Sequence, residues 1–140
     1  MTKVSPRLIA LEVDGVDRSD EISKAIITSA AGASDFLTFA AARAGGNRDY
    51  MLNMTIAQDH ASGTLWDLIF TGAGTEVDGT YAPYGNEDPS PTQPHYDFTA
   101  TVAEPDGNFL GGEASISTTA VASIEVSWQL AVKPVPDTGV

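Results

Sequence analysis

The sequence predicts a mainly β protein, a β-sandwich or barrel-like domain with one short flanking α-helix at about residues 62–72. Three observations predict it. Apolar and polar residues alternate with period two in several separate segments, as strands with one buried and one polar face require. Asp-Gly pairs, which tolerate the positive φ of tight hairpin turns, recur along the chain. Only one segment carries a helical stripe.

Taken in order, "RLIALEV" (7–13) runs as a strand into Asp14-Gly15, a two-residue hairpin signal. Asp78-Gly79 and Asp106-Gly107 repeat that chemistry and read as turns. In "YMLNMTIAQ" (50–58), Tyr50, Leu52, Met54 and Ile56 share a face. In "HYDFTATVA" (95–103), Tyr96, Phe98, Ala100 and Val102 oppose Asp97, Thr99 and Thr101. In "AVASIEVSWQLAV" (120–132), Ala122, Ile124, Val126, Trp128 and Leu130 point one way, and Ser123, Glu125, Ser127 and Gln129 the other. Weaker strands are expected at 22–28, 76–82 and 113–118.

The helix is "SGTLWDLIFTGAG", where Thr64, Asp67 and Thr71 form a polar stripe. Leu65, Trp66, Leu68, Ile69 and Phe70 cover the rest, a wide apolar face for so short a segment. Asp59 or Ser62 can cap its start, and Gly72 and Gly74 can end it. Such a helix must dock on a sheet, and its wide face leaves room for an intermolecular contact as well. "PYGNEDPSPTQPH" (83–95), with four prolines, is a long surface loop.

At 140 residues and 42 % hydrophobic, the chain is expected to form one domain with a substantial core. It has no cysteine, which excludes disulfides, thiolate metal sites and a cysteine nucleophile. The start, "MTKVSPRLIALEVDG", lacks the apolar core of a signal peptide, and no apolar run approaches the ~20 residues of a membrane span. A soluble protein made in the cytoplasm is expected.

Net charge is −12, and it is unevenly placed. Residues 1–48 hold six basic and six acidic groups, whereas 49–132 hold twelve acidic groups and no lysine or arginine. This segment is a solubilising surface or a functional one. In either case it offers no grip on nucleic acid or anionic lipid.

No catalytic constellation is present. His60 and His95 each have a nearby carboxylate, Asp59 and Asp97, but no ligand-like spacing joins them, so no metal is expected. "DGVDRSDE" (14–21) misses the calcium-loop order and reads as a solvated turn. Neither a G-x-S-x-G elbow nor a phosphate-cradling glycine loop occurs, and neither an enzymatic activity nor a cofactor is expected. Trp66 and Trp128 lie in the apolar phase of their segments, which favours core packing over a sugar-stacking role.

The runs "LEVDGVDRSDEISKAIITS", "TFAAARAGG", "QDHASGTLWDLIFTGAG", "PYGNEDPSPTQPHY" and "AEPDGNFLGGEA", in that order, resemble the major tail tube proteins of long-tailed bacteriophages, above all those of phages infecting actinobacteria. The likeness covers roughly 8–134, and "SGTLWDLIF" and "PSPTQPHY" are its most specific parts. It implies a β-sandwich or barrel-like domain with a flanking helix, six copies to a ring, and stacked rings forming the tube through which genome DNA leaves the capsid. It also implies a place in the virion tail after assembly in the host cytoplasm. The implied partners are further copies of the chain, the tape measure protein, and the tail terminator and distal tail proteins. DNA would pass without specific binding. Residues 134–140 would form a short extended tail, and the chain would be the bare tube module without an added C-terminal surface domain.

Within that resemblance, an acidic lumen repels phosphate at close range, over a screening length of ~8–10 Å. Asp97 and Glu125, on polar strand faces, are the lumen candidates. Acidic rings also repel one another, so cohesion requires apolar burial and selective pairing. "FLTFAAARAGGNRDY" (36–50) answers that need as a strand end and interface arm. Phe36, Leu37 and Phe39 would bury against a neighbour, Gly45 and Gly46 would bend the chain back, and Arg43 and Arg48 would pair with a neighbour's acidic segment. The alternative is that this segment packs in the domain's own core. Competing functions are a single-ring tail terminator or joining protein of the same fold, and a non-enzymatic β-sandwich binding module.

Overall fold

A computed structural model describes residues 3–31, 38–44 and 48–139. After a single 3-10 turn at Pro6–Leu8, eight strands form one antiparallel sheet: β1 (Ala10–Val13), β2 (Val16–Asp17), β3 (Ile22–Ala31), β4 (Arg48–Ala57), β5 (Glu76–Ala82), β6 (His95–Thr101), β7 (Ser123–Leu130) and β8 (Val135–Asp137). Two helices accompany them, α1 (Phe39–Arg43) and α2 (Leu65–Gly72). The fold is mainly β with a short helix against the sheet, as the alternation requires.

The strand order is β2-β1-β5-β6-β7-β4-β3, with β8 also paired to β6. β2 and β3 are therefore the two ends of the path, yet only Arg18–Glu21 separates them in sequence. A flat sheet seven strands wide would hold its edges roughly 29 Å apart at the usual strand spacing. Five residue steps reach roughly 18 Å at most. The sheet must curl, and one apolar cluster fills the space inside. Leu11, Val13, Val77 and Phe98 come from the β1–β5–β6 half; Leu52, Met54, Ile56, Ile124, Val126 and Trp128 come from the β7–β4–β3 half.

The halves meet where β6 divides its partners. It pairs with β7 only at Ala100↔Leu130 and Thr101↔Gln129, and with β8 at His95↔Asp137 through Asp97↔Val135. Between Ala100 and Asp97 the β6 chain takes three steps while its partner takes five, from Leu130 to Val135. That excess, next to Pro134, breaks β7 from β8 and turns the corner of the sheet. The extended tail expected at 134–140 thus supplies an edge strand.

α2 covers the cluster with Leu65, Trp66 and Ile69. Trp128 is fully buried, worth about 3 kcal/mol by area, and its indole Nε1 donates to the Ala103 carbonyl at 3.2 Å. The Asp14-Gly15 turn forms as expected, with φ of 53° and 78° at the two residues.

Several expectations are corrected. Asp78-Gly79 is no turn but lies inside β5, where Gly79 pairs with Val13 and Phe98. A Cβ there would meet the Phe98 ring and the Glu12 carbonyl, so the glycine admits a close approach between strands. Asp106-Gly107 is a bend, not a paired hairpin, and the 113–118 segment is exposed and forms no strand. Ala122 falls outside β7 and is exposed. α2 starts at Leu65, and its cap is Thr64, whose hydroxyl accepts from the Asp67 amide at 3.3 Å. Asp59 instead accepts from the Ala61 amide.

The "DGVDRSDE" stretch is more than a solvated turn. Arg18 is buried, and its Nη1 donates to Glu21 at 3.1 Å and to the Gly63 carbonyl at 2.8 Å. Asp17 accepts from the Ser19 hydroxyl at 2.6 Å and from its amide at 2.9 Å, which together hold its carboxyl below the usual range. No helix among the described residues is long and apolar enough to cross a membrane.

Candidate functional site

Strand alternation turns one face of each strand outward, and on β1, β5 and β6 that face is acidic. Register sets Glu12, Thr80 and Asp97 in one row, with Asp78 and Thr99 in the next. The Thr80 hydroxyl donates to Asp97 at 3.0 Å, and the Thr99 hydroxyl donates to Asp78 at 2.7 Å. Threonines between the carboxylates keep like charges from facing each other directly across the ladder. A shallow groove of about 410 Å³ runs over these residues and reaches Val132 and Val135 beside the β7–β8 corner.

The outward face of β7 continues the surface. Glu125 lies opposite Thr55, and the Ser127 hydroxyl donates to Asn53, whose amide donates to the Thr28 hydroxyl. Lys24, opposite Thr55 on the edge strand β3, ends the row. Asp97 and Glu125 thus share one exposed face, but not one spot. Asp97 lies three residues before Ala100, and Glu125 five before Leu130 on the antiparallel neighbour, so they flank the junction on opposite sides. Eight residue steps separate them, roughly 26 Å.

The arm differs from its expectation. Phe36, Leu37, Gly45 and Gly46 lie outside the described residues. Phe39 does not end a strand; it opens the five-residue helix α1. Alanine at 40, 41 and 42 explains this, because alanine has the highest helix propensity and the Thr38 hydroxyl caps the Ala41 amide at 3.1 Å. Phe39 is 88 % exposed, so it does not enter the domain's own core. Arg43, in the last turn, is exposed as well, where a cation suits the helix C-terminus. Arg48, the first residue of β4, donates from Nε and Nη2 to the Ser29 hydroxyl at 3.1 and 2.9 Å. It braces the β3–β4 hairpin across which the arm is strung, which is a role within the chain.

At the other end of β4 lies a feature that sequence reading only half found. Trp66 stacks on the His60 ring at 4.0 Å, on Phe70 at 5.1 Å, and lies 5.4 Å from Phe109. Its Nε1 donates to the Phe109 carbonyl at 3.1 Å. Trp66 is itself buried, but Phe70 is 51 % and Leu110 61 % exposed. The wide apolar face of α2 signals Trp66 and Phe70; Phe109 and Leu110 sit in an irregular connection that no periodicity marks. Gln58 fixes that connection, donating to the Gly111 carbonyl and accepting from its amide.

Among the described residues no group of three or more His, Cys, Asp or Glu side chains could hold a metal ion. No protein-family model matches the chain, and no curated protein matches its sequence.

Proposed function

We propose that the chain is a structural protein of a bacteriophage tail, forming hexameric rings that stack into a tube with an acidic lumen for DNA ejection. The observation that carries this reading is Phe39, 88 % exposed on a helix of five residues, outside a core that is already filled. A helix that short is not stable by itself in water, and its exposed phenylalanine is free to pack against another chain. Two features support the reading further. The curled antiparallel sheet with its docked helix is the architecture implied by the tail tube resemblance. The outward faces of β1, β5, β6 and β7 carry Glu12, Asp78, Asp97 and Glu125, which repel the phosphates of a passing duplex.

Negative-stain electron microscopy across rising protein concentration, with light scattering on the same samples, tests it. Stacked rings or tubes with a central channel are expected. Closed single rings would replace the reading with a terminator or joining protein. Monomer at every concentration, with the arm's amides protected from hydrogen exchange, would overturn it.

A further inference from the structure

α1 and the aromatic cluster sit at opposite ends of the same strand. α1 precedes Arg48, where β4 begins, and Gln58, just past the end of β4, holds the Leu110 connection in place. Nine residue steps of β4 lie between, roughly 30 Å. The arm is therefore poorly placed to cover its own chain's cluster, although both surfaces are apolar and open.

Their charges are complementary. The arm carries Arg43 on its exposed helix. Asp59 is exposed beside His60, and there is no lysine or arginine anywhere in 49–132. The Asp67 carboxylate, by contrast, turns back to accept the Gly63 amide at 3.1 Å, and Glu104 and Asp106 line a separate groove with Thr55 and Glu125. From this we infer that α1 of one copy docks on the His60–Trp66–Phe70–Phe109 cluster of the next copy. Phe39 packs against Phe70 and Leu110, and Arg43 meets Asp59 beside His60. The contact joins two different surfaces, one at each end of the protomer. It is heterologous, and such contacts propagate into closed rings or open stacks, whereas a self-complementary patch stops at a dimer. The inference rests on the assembly reading above and names the surfaces that carry it.

The absence of cysteine gives a clean test. One preparation carries Phe39→Cys, a second Leu110→Cys and a third Phe70→Cys; all three side chains are exposed, so the core is undisturbed. A disulfide forms only where Cα atoms come within about 7 Å. Under an added thiol oxidant, mixing the first preparation with the second or third should yield about tenfold more cross-linked dimer than any preparation alone, a preference of about 1.4 kcal/mol. No excess from either mixture would overturn the docking, including the case where tubes are still seen by microscopy. Excess cross-linking without tubes would support the docking and reject the tube.

Discussion

Glu21 neutralises Arg18 and caps a helix with the same carboxylate. One oxygen lies 3.1 Å from the Arg18 guanidinium, and the other accepts the Leu65 amide at 2.8 Å. Leu65 is the first residue of α2, so its amide has no partner within the helix, and a negative charge there also suits the helix dipole. The turn between β2 and β3 thereby holds α2 over the core.

Removing Glu21 leaves the buried Arg18 charge without its counterion. Glu21→Ala is expected to cost about 3 kcal/mol, in the range for breaking a buried pair. Glu21→Gln keeps an acceptor for the Leu65 amide and should cost less, about 1–2 kcal/mol. Urea denaturation of both variants checks this. Equal losses in the two would show that the charge on Glu21 is immaterial.

Gly79 offers a second test within the sheet. A Cβ at this position would lie 2.7 Å from the Glu12 carbonyl oxygen and equally near Phe98 Cε1. Gly79→Ala should therefore destabilise by about 1–3 kcal/mol through overpacking. Combining it with Phe98→Leu should cost less than the sum of the two single changes, because shortening the ring relieves part of the clash. Strict additivity in thermal denaturation would mean that Phe98 is not what excludes a side chain here.

The contrast between these sites shows what the sequence reveals. β4, β6 and β7 are legible because each has one buried face and one wet face, which imposes period two. α2 is legible from its polar stripe. Asp78-Gly79 misleads because local turn chemistry is indistinguishable from a glycine set opposite a large ring, a contact made with β6 across the sheet. Arg18 and Glu21 mislead for a related reason: their partners, Gly63 and Leu65, lie more than forty positions away. The arm's apolar character is plain in the sequence, but its helix is not, since the alanines that allow close approach between chains are also the best helix formers. The aromatic cluster needs Phe109, which folding alone brings to Trp66.

Substitutions on α1 should separate folding from assembly. Phe39→Asp and Arg43→Glu alter exposed positions, so the monomer's stability should change by no more than about 0.5 kcal/mol. Both should nonetheless abolish rings and tubes in the electron microscope. Unchanged tubes from both variants would sink the interface assignment.

The acidic face makes the last prediction. Tubes of the unaltered chain should not retain duplex DNA, because the outward rows of β1, β5, β6 and β7 meet phosphate with like charge. Asp97→Lys and Glu125→Lys each reverse a charge on that face, at positions roughly 26 Å apart. If the face lines the bore, open-ended tubes of the reversed chains should bind labelled duplex that co-sediments with them. Retention should weaken steeply between about 50 and 200 mM salt as counterions compete. Because the two residues lie on opposite sides of the β6–β7 junction, comparing the single variants tells which half of the curled sheet faces the channel. Binding by Asp97→Lys alone assigns it to the β1–β5–β6 half, and binding by Glu125→Lys alone to the half built on β7, β4 and β3. DNA bound by neither, or bound on the outer wall in micrographs, would place the acidic face away from the lumen and leave its charge a matter of solubility.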